Sequence, residues 1–166
     1  MRMMIFGAGF SGLAIARSLA GDCDFAGGTT RSPERFPALQ GAGLTPFIYQ
    51  GGAPSDDLAA ALGEVTHLVM SIAPDSDGDP LLEAFAGGLR QSMPKLEWAG
   101  YLSTVGVYGD HGGEWVDEET RCKPVSRRSV ARLAAEDGWM RLAEEAGVPL
   151  DIIRLSGIFG PGRNAL

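Results

Sequence analysis

Three glycines near the amino terminus are the residues whose types and spacing most clearly suggest chemistry. They lie in the run GAGFSG, residues 7–12, between an apolar segment and an alanine-rich segment. In this spacing the first glycine permits a tight turn, the second lets the main chain approach a diphosphate, and the third lets a helix pack closely on a strand. Phosphates would then meet unpaired N–H groups at the positive end of the helix. The pattern predicts a dinucleotide site at Gly7, Gly9, Phe10, Ser11 and Gly12.

The end of the second predicted strand bears on which dinucleotide is bound. Sites for NAD usually place an acidic residue there, which accepts hydrogen bonds from the adenosine ribose. This sequence has GTTRS at residues 28–32 instead. A guanidinium pairs with phosphate in a bidentate manner, so Thr30 and Arg31 favour the 2′-phosphate of NADP over NAD, and Arg35 is a second candidate. The alternative is that Arg31 is only a solvated loop charge.

Strands and helices must alternate along the chain to position these residues. Apolar runs bounded by turn residues predict six strands, at Arg2–Phe6, Asp24–Gly28, Phe47–Tyr49, Val65–Ala73, Leu96–Ser103 and Leu150–Leu155. Helices are predicted over Ser11–Ala20, over Asp56–Leu62 after a Ser55 cap, from Asp79 and Pro80 onward, and from about Ser126 to Ala146 with a stop at Gly147. This alternation predicts one α/β domain over residues 1–166, with a parallel sheet covered by helices on both faces. Together with the glycine run, it indicates a Rossmann-type doubly wound sheet, for which the strand order is 3-2-1-4-5-6.

Composition and charge limit the partners. The chain is 45% apolar and 21% charged, with a net charge of −7, so no basic face is expected that could replace the counterions of a nucleic acid. No apolar run reaches the ~20 residues that a membrane-spanning helix needs. Cys23, expected in an apolar strand, and Cys122 are far apart and have no neighbouring histidine cluster, so no metal site is predicted. Two reduced cysteines fit a cytoplasmic protein.

Three further motifs resemble those of a known family. The run LSTVGVYG, residues 102–109, resembles the S/T-x-x-V-Y-G strand end of the extended short-chain dehydrogenase/reductases, the NAD(P)-dependent epimerase/dehydratase group. The run RLSGIFGPG, residues 154–162, is similar to that family's sixth-strand exit. The run MSIAP, residues 70–74, resembles the end of its fourth strand beside the cofactor, which implies cofactor contacts at Ser71 and Ala73.

The resemblance implies hydride transfer between a nicotinamide and a carbon that bears oxygen. In the family a serine or threonine holds that oxygen, a tyrosine exchanges its proton, and a lysine four residues later binds the nicotinamide ribose. Thr104 matches the first position, but the tyrosine and lysine positions fall on Arg128 and Arg132. Arginine stays protonated near neutral pH, so Arg128 cannot exchange a proton, whereas Arg132 can still donate to ribose hydroxyls. Alternatively both lie on a charged helix face, with Arg132 paired to Glu136.

Other groups could supply the missing proton. Tyr108 lies near Thr104 and could present its phenol, although the family's tyrosine in this motif is structural. The loop over residues 110–124 offers His111 and four acidic side chains as general bases, or is simply solvated; the acids are Glu114, Asp117, Glu118 and Glu119. His67 is expected in the core.

Two functions are compatible with these residues. One is an NADP-preferring oxidoreductase or epimerase that acts on an unknown small molecule by hydride transfer. The other is a non-catalytic dinucleotide-binding sensor, as among atypical relatives that lack the tyrosine. Family members often have asparagine and tyrosine where this chain has Gly157 and Phe159, and they continue beyond the position of Leu166 into a substrate-binding region, so a truncated chain is expected. Relatives often dimerise through the long helix, where Trp139 contributes either to a homodimer or to the core.

Overall fold

Six parallel strands form one sheet in the order β3-β2-β1-β4-β5-β6, which confirms the predicted fold class and strand order. The computed structural model describes residues 1–75 and 77–164; Ser76, Ala165 and Leu166, which the predicted domain includes, lie outside the described residues. The strands are β1 Arg2–Phe6, β2 Phe25–Thr30, β3 Thr45–Ile48, β4 His67–Met70, β5 Trp98–Thr104 and β6 Leu150–Leu155. Pro46, which cannot donate a ladder hydrogen bond, lies in the edge strand β3, where that loss is tolerated.

Helices connect successive strands. They are α1 Phe10–Ser18, α2 Phe36–Gln40, α3 Asp56–Leu62, α4 Pro80–Ala84, α5 Leu89–Ser92 and α6 Arg127–Ala146, with short 3₁₀ turns at Pro33–Arg35 and Val105–Val107. The side chain of Asp79 accepts hydrogen bonds from the first turn of α4, and that of Ser126 does the same for α6. Gly147 ends α6 in the left-handed conformation, with φ of 61°. No helix in the described ranges is both long and apolar enough to span a bilayer.

The sheet is buried on both faces, as a doubly wound fold requires. Side chains alternate along β1, so that Met4 and Phe6 enter one apolar core while Met3 and Ile5 enter the other. Trp139 of α6 is fully buried in the first core and donates from Nε1 to Asp79 Oδ2 at 3.1 Å. Trp139 is therefore a core residue, and its predicted alternative role at a dimer surface is wrong.

Several local predictions differ from the structure. Cys23 lies in the turn before β2 and not in a strand, because pairing with β1 begins only at Phe25, opposite Arg2. His67 is only half-buried, because it is the first residue of β4, where its Nδ1 lies 2.9 Å from Thr66 Oγ1. The short helices α2 and α5 were not predicted, since each has too few residues for a helical apolar period to show.

A buried ion pair ties α6 to the last two strands. The Glu136 carboxylate is fully buried, accepts from Arg154 Nη2 of β6 at 2.8 Å, and accepts a hydrogen bond from Ser103 Oγ of β5. The hydrogen bond between Arg154 and the Glu136 carboxylate raises the pKa of the Arg154 guanidinium. The predicted pairing of Arg132 with Glu136 is wrong, because the carboxylate faces the sheet and takes partners from it.

Substituting Arg154 should destabilise the protein strongly. Arg154→Met leaves the Glu136 carboxylate buried without its cation, so the free energy of unfolding should fall by about 3–5 kcal/mol. Arg141→Met, at an exposed position of α6, is the matched control and should change it by less than about 0.5 kcal/mol. The double variant Glu136→Leu with Arg154→Met should regain most of the lost free energy of unfolding, because it leaves no buried charge unpaired. Urea unfolding followed by circular dichroism measures all three, and equal losses in Arg154→Met and Arg141→Met would contradict this account.

Candidate functional site

A cleft of about 730 Å³ opens at the carboxyl ends of the first four strands. It lies where the strand order reverses between β1 and β4, the point at which doubly wound sheets bind ligands. Its lining comes from the segments that follow those strands, at residues 7–9, 29–32, 49–51 and 71–75, together with Arg35 and Pro80. We call this space the first cleft.

The turn between β1 and α1 forms one wall of the first cleft and is fastened to β2. Gly7 has φ of +82°, and a Cβ there would lie 2.9 Å from Ile72 Cγ1, so glycine is required by both backbone and space. The Gly7 N–H donates to Thr29 Oγ1 and the Ala8 N–H donates to the Thr29 carbonyl, each at 2.9 Å. These two hydrogen bonds fix the path of the turn.

Gly9 and Gly12 differ in what surrounds them. A Cβ at Gly12 would lie 3.0 Å from Ile5 Cγ2, so glycine at this position lets α1 pack on β1. A Cβ at Gly9 would meet nothing nearer than the Gly7 carbonyl oxygen at 3.9 Å, and Gly9 is exposed and lines the first cleft. Packing within the described chain therefore gives no reason for glycine at position 9.

The amino end of α1 lacks a capping side chain. Its N-cap is Gly9, and no side chain accepts a hydrogen bond there. The ends of α2, α3 and α5 lack a capping side chain too, whereas Asp79 caps α4 and Ser126 caps α6; the end of α1 is the one that directly follows the cleft-lining glycine turn. The first N–H groups of a helix have no partner inside the helix. Those of Phe10, Ser11 and Gly12 therefore form a donor-rich, positively polarised end beside the cleft.

The residues after β2 and β3 line another part of the first cleft. The Gln50 side chain donates from Nε2 to the Arg31 carbonyl at 2.9 Å and so holds the main chain of this segment. The side chains of Arg31 and Arg35 are exposed and take part in none of the ion pairs among the described residues. Tyr49 lies deeper, donates to the Gly52 carbonyl at 3.2 Å, and stays protonated because burial raises its pKa to about 12.

A second cleft of about 340 Å³ continues from the first. Both are lined by Ala73 and Pro74, so the two spaces meet at this segment after β4. The remaining lining residues of the second cleft are polar: Thr104, Ser126, Arg128, Ser129 and Arg132. They come from the end of β5 and the beginning of α6.

Thr104 and Arg132 are held in place by neighbouring groups. Thr104 Oγ1 accepts from the Gly106 N–H at 3.2 Å, which leaves its own O–H to donate. Arg132 Nη1 donates to the Tyr101 hydroxyl at 3.1 Å and to the Leu102 carbonyl at 3.0 Å, and the guanidinium lies 5.5 Å from the Tyr101 ring centroid. Burial raises the pKa of the Tyr101 phenol, so this partner stays protonated.

Tyr108 occupies a structural position. It is 7% exposed, its hydroxyl accepts from Arg154 Nη1 at 3.0 Å, and the Arg154 guanidinium lies 4.8 Å from its ring centroid. Tyr108 lines neither cleft. The fold thus turns this phenol toward the buried ion pair and away from Thr104, contrary to the expectation that it could present a proton to a ligand.

The structure brings most of the predicted site residues together but not all of them. Those that line the first cleft are Gly7, Gly9, Thr30, Arg31, Ser71 and Ala73. Phe10, Ser11 and Gly12 line neither cleft, although their main chain forms the end of α1; the Phe10 ring lies 5.3 Å from the Arg163 guanidinium. The candidate bases of the 110–124 loop also line neither cleft, and His111 Nε2 lies 3.1 Å from the Tyr108 carbonyl.

Sequence reasoning missed some lining residues. Gln50 and Gly51 follow β3, and Ser126 and Ser129 begin α6. Gln50 and Gly51 could have been predicted to line the cleft from their position directly after a parallel strand, because the carboxyl ends of parallel strands lie at one edge of the sheet. Within residues 1–75 and 77–164, no three histidine, cysteine, aspartate or glutamate side chains are grouped so that they could hold a metal ion.

Known proteins similar to this chain share its fold. No protein-family model matches the chain. Among curated proteins, it is 26% identical to Protein YeeZ of Escherichia coli strain K12, over 98% of this chain and 61% of that protein. Among solved structures, a conserved protein of unknown function from Silicibacter pomeroyi is 39% identical, with a TM-score of 0.86 over 98% of this chain and 55% of its own.

Two further solved structures carry informative descriptions. A candidate NAD-dependent epimerase/dehydratase from Methylobacillus flagellatus is 29% identical, with a TM-score of 0.74 over 98% of this chain and 56% of its own. The UDP-glucuronic acid 4-epimerase of Bacillus cereus, solved in complex with NAD, is 20% identical, with a TM-score of 0.71 over 96% of this chain and 58% of its own, and it supports the fold alone.

The chain spans 55% to 61% of the length of the relatives it matches first. In this chain the glycine turn follows β1 and the three later motifs follow β4, β5 and β6, where the family pattern predicts them. The predicted resemblance is confirmed: in its ordered motifs and in its fold, this chain is similar to the NAD-dependent epimerase/dehydratases of the extended short-chain dehydrogenase/reductase superfamily.

Proposed function

We propose that this chain binds NADP(H) in the first cleft and presents the nicotinamide to the second, for hydride transfer to or from a small carbonyl or hydroxyl compound. The observation that carries the dinucleotide part is the bare, uncapped turn at Gly9. The main chain at Gly9 is open toward the cleft, and the following N–H groups lack an accepting side chain. A diphosphate supplies the acceptors that such a helix end needs, so the described residues fit this group.

Two arginines support NADP over NAD. Arg31 and Arg35 line the first cleft together with Thr30, and β2 ends without an acidic residue. A 2′-phosphate would pair with either guanidinium by charge-assisted hydrogen bonds, whereas a ribose hydroxyl gains less from them. Asp75 is the one acidic residue among the described residues that line this cleft, and it follows β4, so it does not replace the ribose carboxylate of NAD sites.

The similar proteins support a nicotinamide dinucleotide in general terms. The Methylobacillus flagellatus protein, 29% identical, is named as a candidate NAD-dependent epimerase/dehydratase. The preference for a 2′-phosphate rests on Arg31 and Arg35 alone.

In the second cleft, Thr104 would hold the substrate oxygen. The nicotinamide, when bound, supplies or accepts the hydride. Thr104 can donate its O–H to the substrate because its Oγ1 already accepts from Gly106. Arg128 and Arg132 present guanidinium groups, which are hydrogen-bond donors only, so they can orient an anionic or polar group but do not serve as general bases. When a hydride reaches a carbonyl carbon, the proton that the oxygen takes up comes from water.

The second candidate function is a dinucleotide sensor without turnover. One observation favours it: the described lining of the second cleft contains no histidine, cysteine, tyrosine, lysine or carboxylate, the side chains that act as general acids or bases. General acid–base catalysis by a side chain contributes about 10²–10⁴-fold to a typical rate, so its absence suits slow chemistry or none. Both functions share the same dinucleotide site and differ only in the second cleft.

Gly9→Val should abolish dinucleotide binding without unfolding the protein. A Cβ at this position has no neighbour nearer than the Gly7 carbonyl oxygen at 3.9 Å, so valine is tolerated there, but its side chain takes up space proposed for the diphosphate. The Kd for NADPH, measured from nicotinamide fluorescence, should rise about 100-fold or more, which corresponds to about 2.7 kcal/mol. Gly21→Val, at another glycine with open space around it, is the matched control and should leave the Kd unchanged. Wild-type affinity in Gly9→Val would refute the proposed diphosphate site.

Arg31→Ala should remove the preference for NADPH. Loss of a charge-assisted hydrogen bond to the 2′-phosphate should raise the Kd for NADPH about 10- to 100-fold and leave the Kd for NADH within about twofold. Arg17→Ala, an exposed arginine of α1, serves as the control for general loss of positive charge. Equal affinities of the wild-type protein for NADPH and NADH would contradict the assignment of Arg31.

Thr104→Ala distinguishes the enzyme from the sensor. The assay uses the longest natural form of the protein that contains these 166 residues. NADPH oxidation is followed with a panel of small aldehydes, ketones and keto acids. An enzyme should show slow turnover that falls about 10- to 100-fold in Thr104→Ala, because the substrate oxygen loses a hydrogen-bond donor. Tight NADPH binding without turnover of any compound would favour the sensor over hydride transfer.

A further inference from the structure

The second cleft carries a concentration of positive charge that hydride transfer alone does not require. Two arginines and no carboxylate among its described lining residues give it a formal charge of +2. The chain as a whole has a net charge of −7. Such a local reversal of sign in a concave site attracts and holds an anion.

Arg132 is held in position before any ligand binds. Its Nη1 is fixed by the Tyr101 hydroxyl and the Leu102 carbonyl, and the guanidinium lies beside the Tyr101 ring. The planar group is therefore oriented, while its Nε and Nη2 make none of the hydrogen bonds found among the described residues. An oriented fork loses less entropy when it binds a carboxylate or phosphate.

Arg128 lies one helical turn before Arg132 on α6. Residues four apart lie side by side on a helix, and two like charges at this spacing repel each other. Arg128 is exposed and takes part in none of the ion pairs among the described residues. An anion between the two guanidinium groups would offset this repulsion.

The hydroxyl groups of the second cleft can also act as donors. Ser126 Oγ donates to Ser129 Oγ at 2.9 Å, which leaves the Ser129 O–H to donate in turn. Thr104, at the end of β5, likewise keeps its O–H free to donate. Donors that line a small cleft without an acidic side chain match a ligand rich in acceptor oxygens.

We infer that the second cleft binds the anionic oxygen group of a small substrate, a carboxylate or a phosphate, against Arg128 and Arg132. The carbonyl or hydroxyl oxygen of the same substrate then lies at Thr104. One part of the inference rests on the proposed function: that the anion belongs to the substrate of hydride transfer. The binding of an anion depends on the second cleft alone. The arginine at position 128 thus has a substrate-binding role in place of proton exchange.

Calorimetric titration of the dinucleotide-free full chain tests the inference. Oxalate probes a carboxylate site and inorganic phosphate probes a phosphate site. Binding of at least one probe is expected, with a Kd that rises about 10-fold or more in Arg128→Met. Arg127→Met, the adjacent arginine that lines neither cleft, is the matched control and should raise the Kd no more than about twofold. Inorganic phosphate can also enter the first cleft, so Arg31→Met is measured beside it, and a larger rise in Arg31→Met than in Arg128→Met would assign the probe to the first cleft and overturn the anion site.

The outcomes separate the two proposals. Binding of neither probe, an unchanged Kd in Arg128→Met, or an equal rise in Arg127→Met would overturn the anion site. The probe that responds more strongly to Arg128→Met identifies the carboxylate or the phosphate source. NADPH affinity is measured on the same variants and should not change in Arg128→Met. A chain that binds a probe through Arg128 but does not bind NADPH contradicts the proposed function and leaves the anion site standing.

Discussion

The site depends on two hydrogen bonds that Thr29 makes to the turn after β1. Thr29 is buried, and it accepts the N–H groups of Gly7 and Ala8 through its hydroxyl and its carbonyl. Because β2 satisfies these two N–H groups, the turn keeps one path, and α1 begins at Gly9 with its first N–H groups unpaired. A helix end fixed in this way is preorganised, so the proposed diphosphate would bind without a rearrangement of the turn.

The second cleft depends on a different constraint, the buried carboxylate of Glu136. Its bonds to Ser103 and Arg154 join α6 to β5 and β6 in the interior. Arg128 and Arg132 lie on the same helix, and Thr104 follows Ser103 directly, so the ion pair fixes both sides of the cleft relative to each other. The Arg154 guanidinium also holds Tyr108. Burying a charge pair is costly, and these contacts connect the helix to two strands at defined positions.

The sheet order and the glycine turn could be predicted because both follow from local patterns. A strand–glycine–helix run predicts the turn, and alternating strands and helices restrict the sheet topology to few choices. The partner of Glu136 could not be predicted. Arg132, four residues away, is the obvious partner on the sequence, whereas Arg154 comes from a strand 18 residues further along the chain. Only the register of β6 beside β5, with Ser103 opposite Arg154, brings that guanidinium to the carboxylate.

Tyr108 and the lining of the second cleft show the same limit. Proximity to Thr104 along the chain suggests a shared site, but the 3₁₀ turn over Val105–Val107 separates the two side chains, so that only Thr104 lines the cleft. The family resemblance of residues 70–74, by contrast, predicts Ser71 and Ala73 beside the cofactor; both line the first cleft, and Ala73 also lines the second. Strand ends are predictable from sequence, whereas side-chain directions in the turns that follow them require the packed structure.

The most direct test of this account is a crystal structure of the chain soaked with NADPH. The account predicts the diphosphate within hydrogen-bonding distance of the main-chain N–H groups that follow Gly9, and the 2′-phosphate beside Arg31 or Arg35. A dinucleotide bound elsewhere, or a turn that stays empty at saturating NADPH, would contradict it.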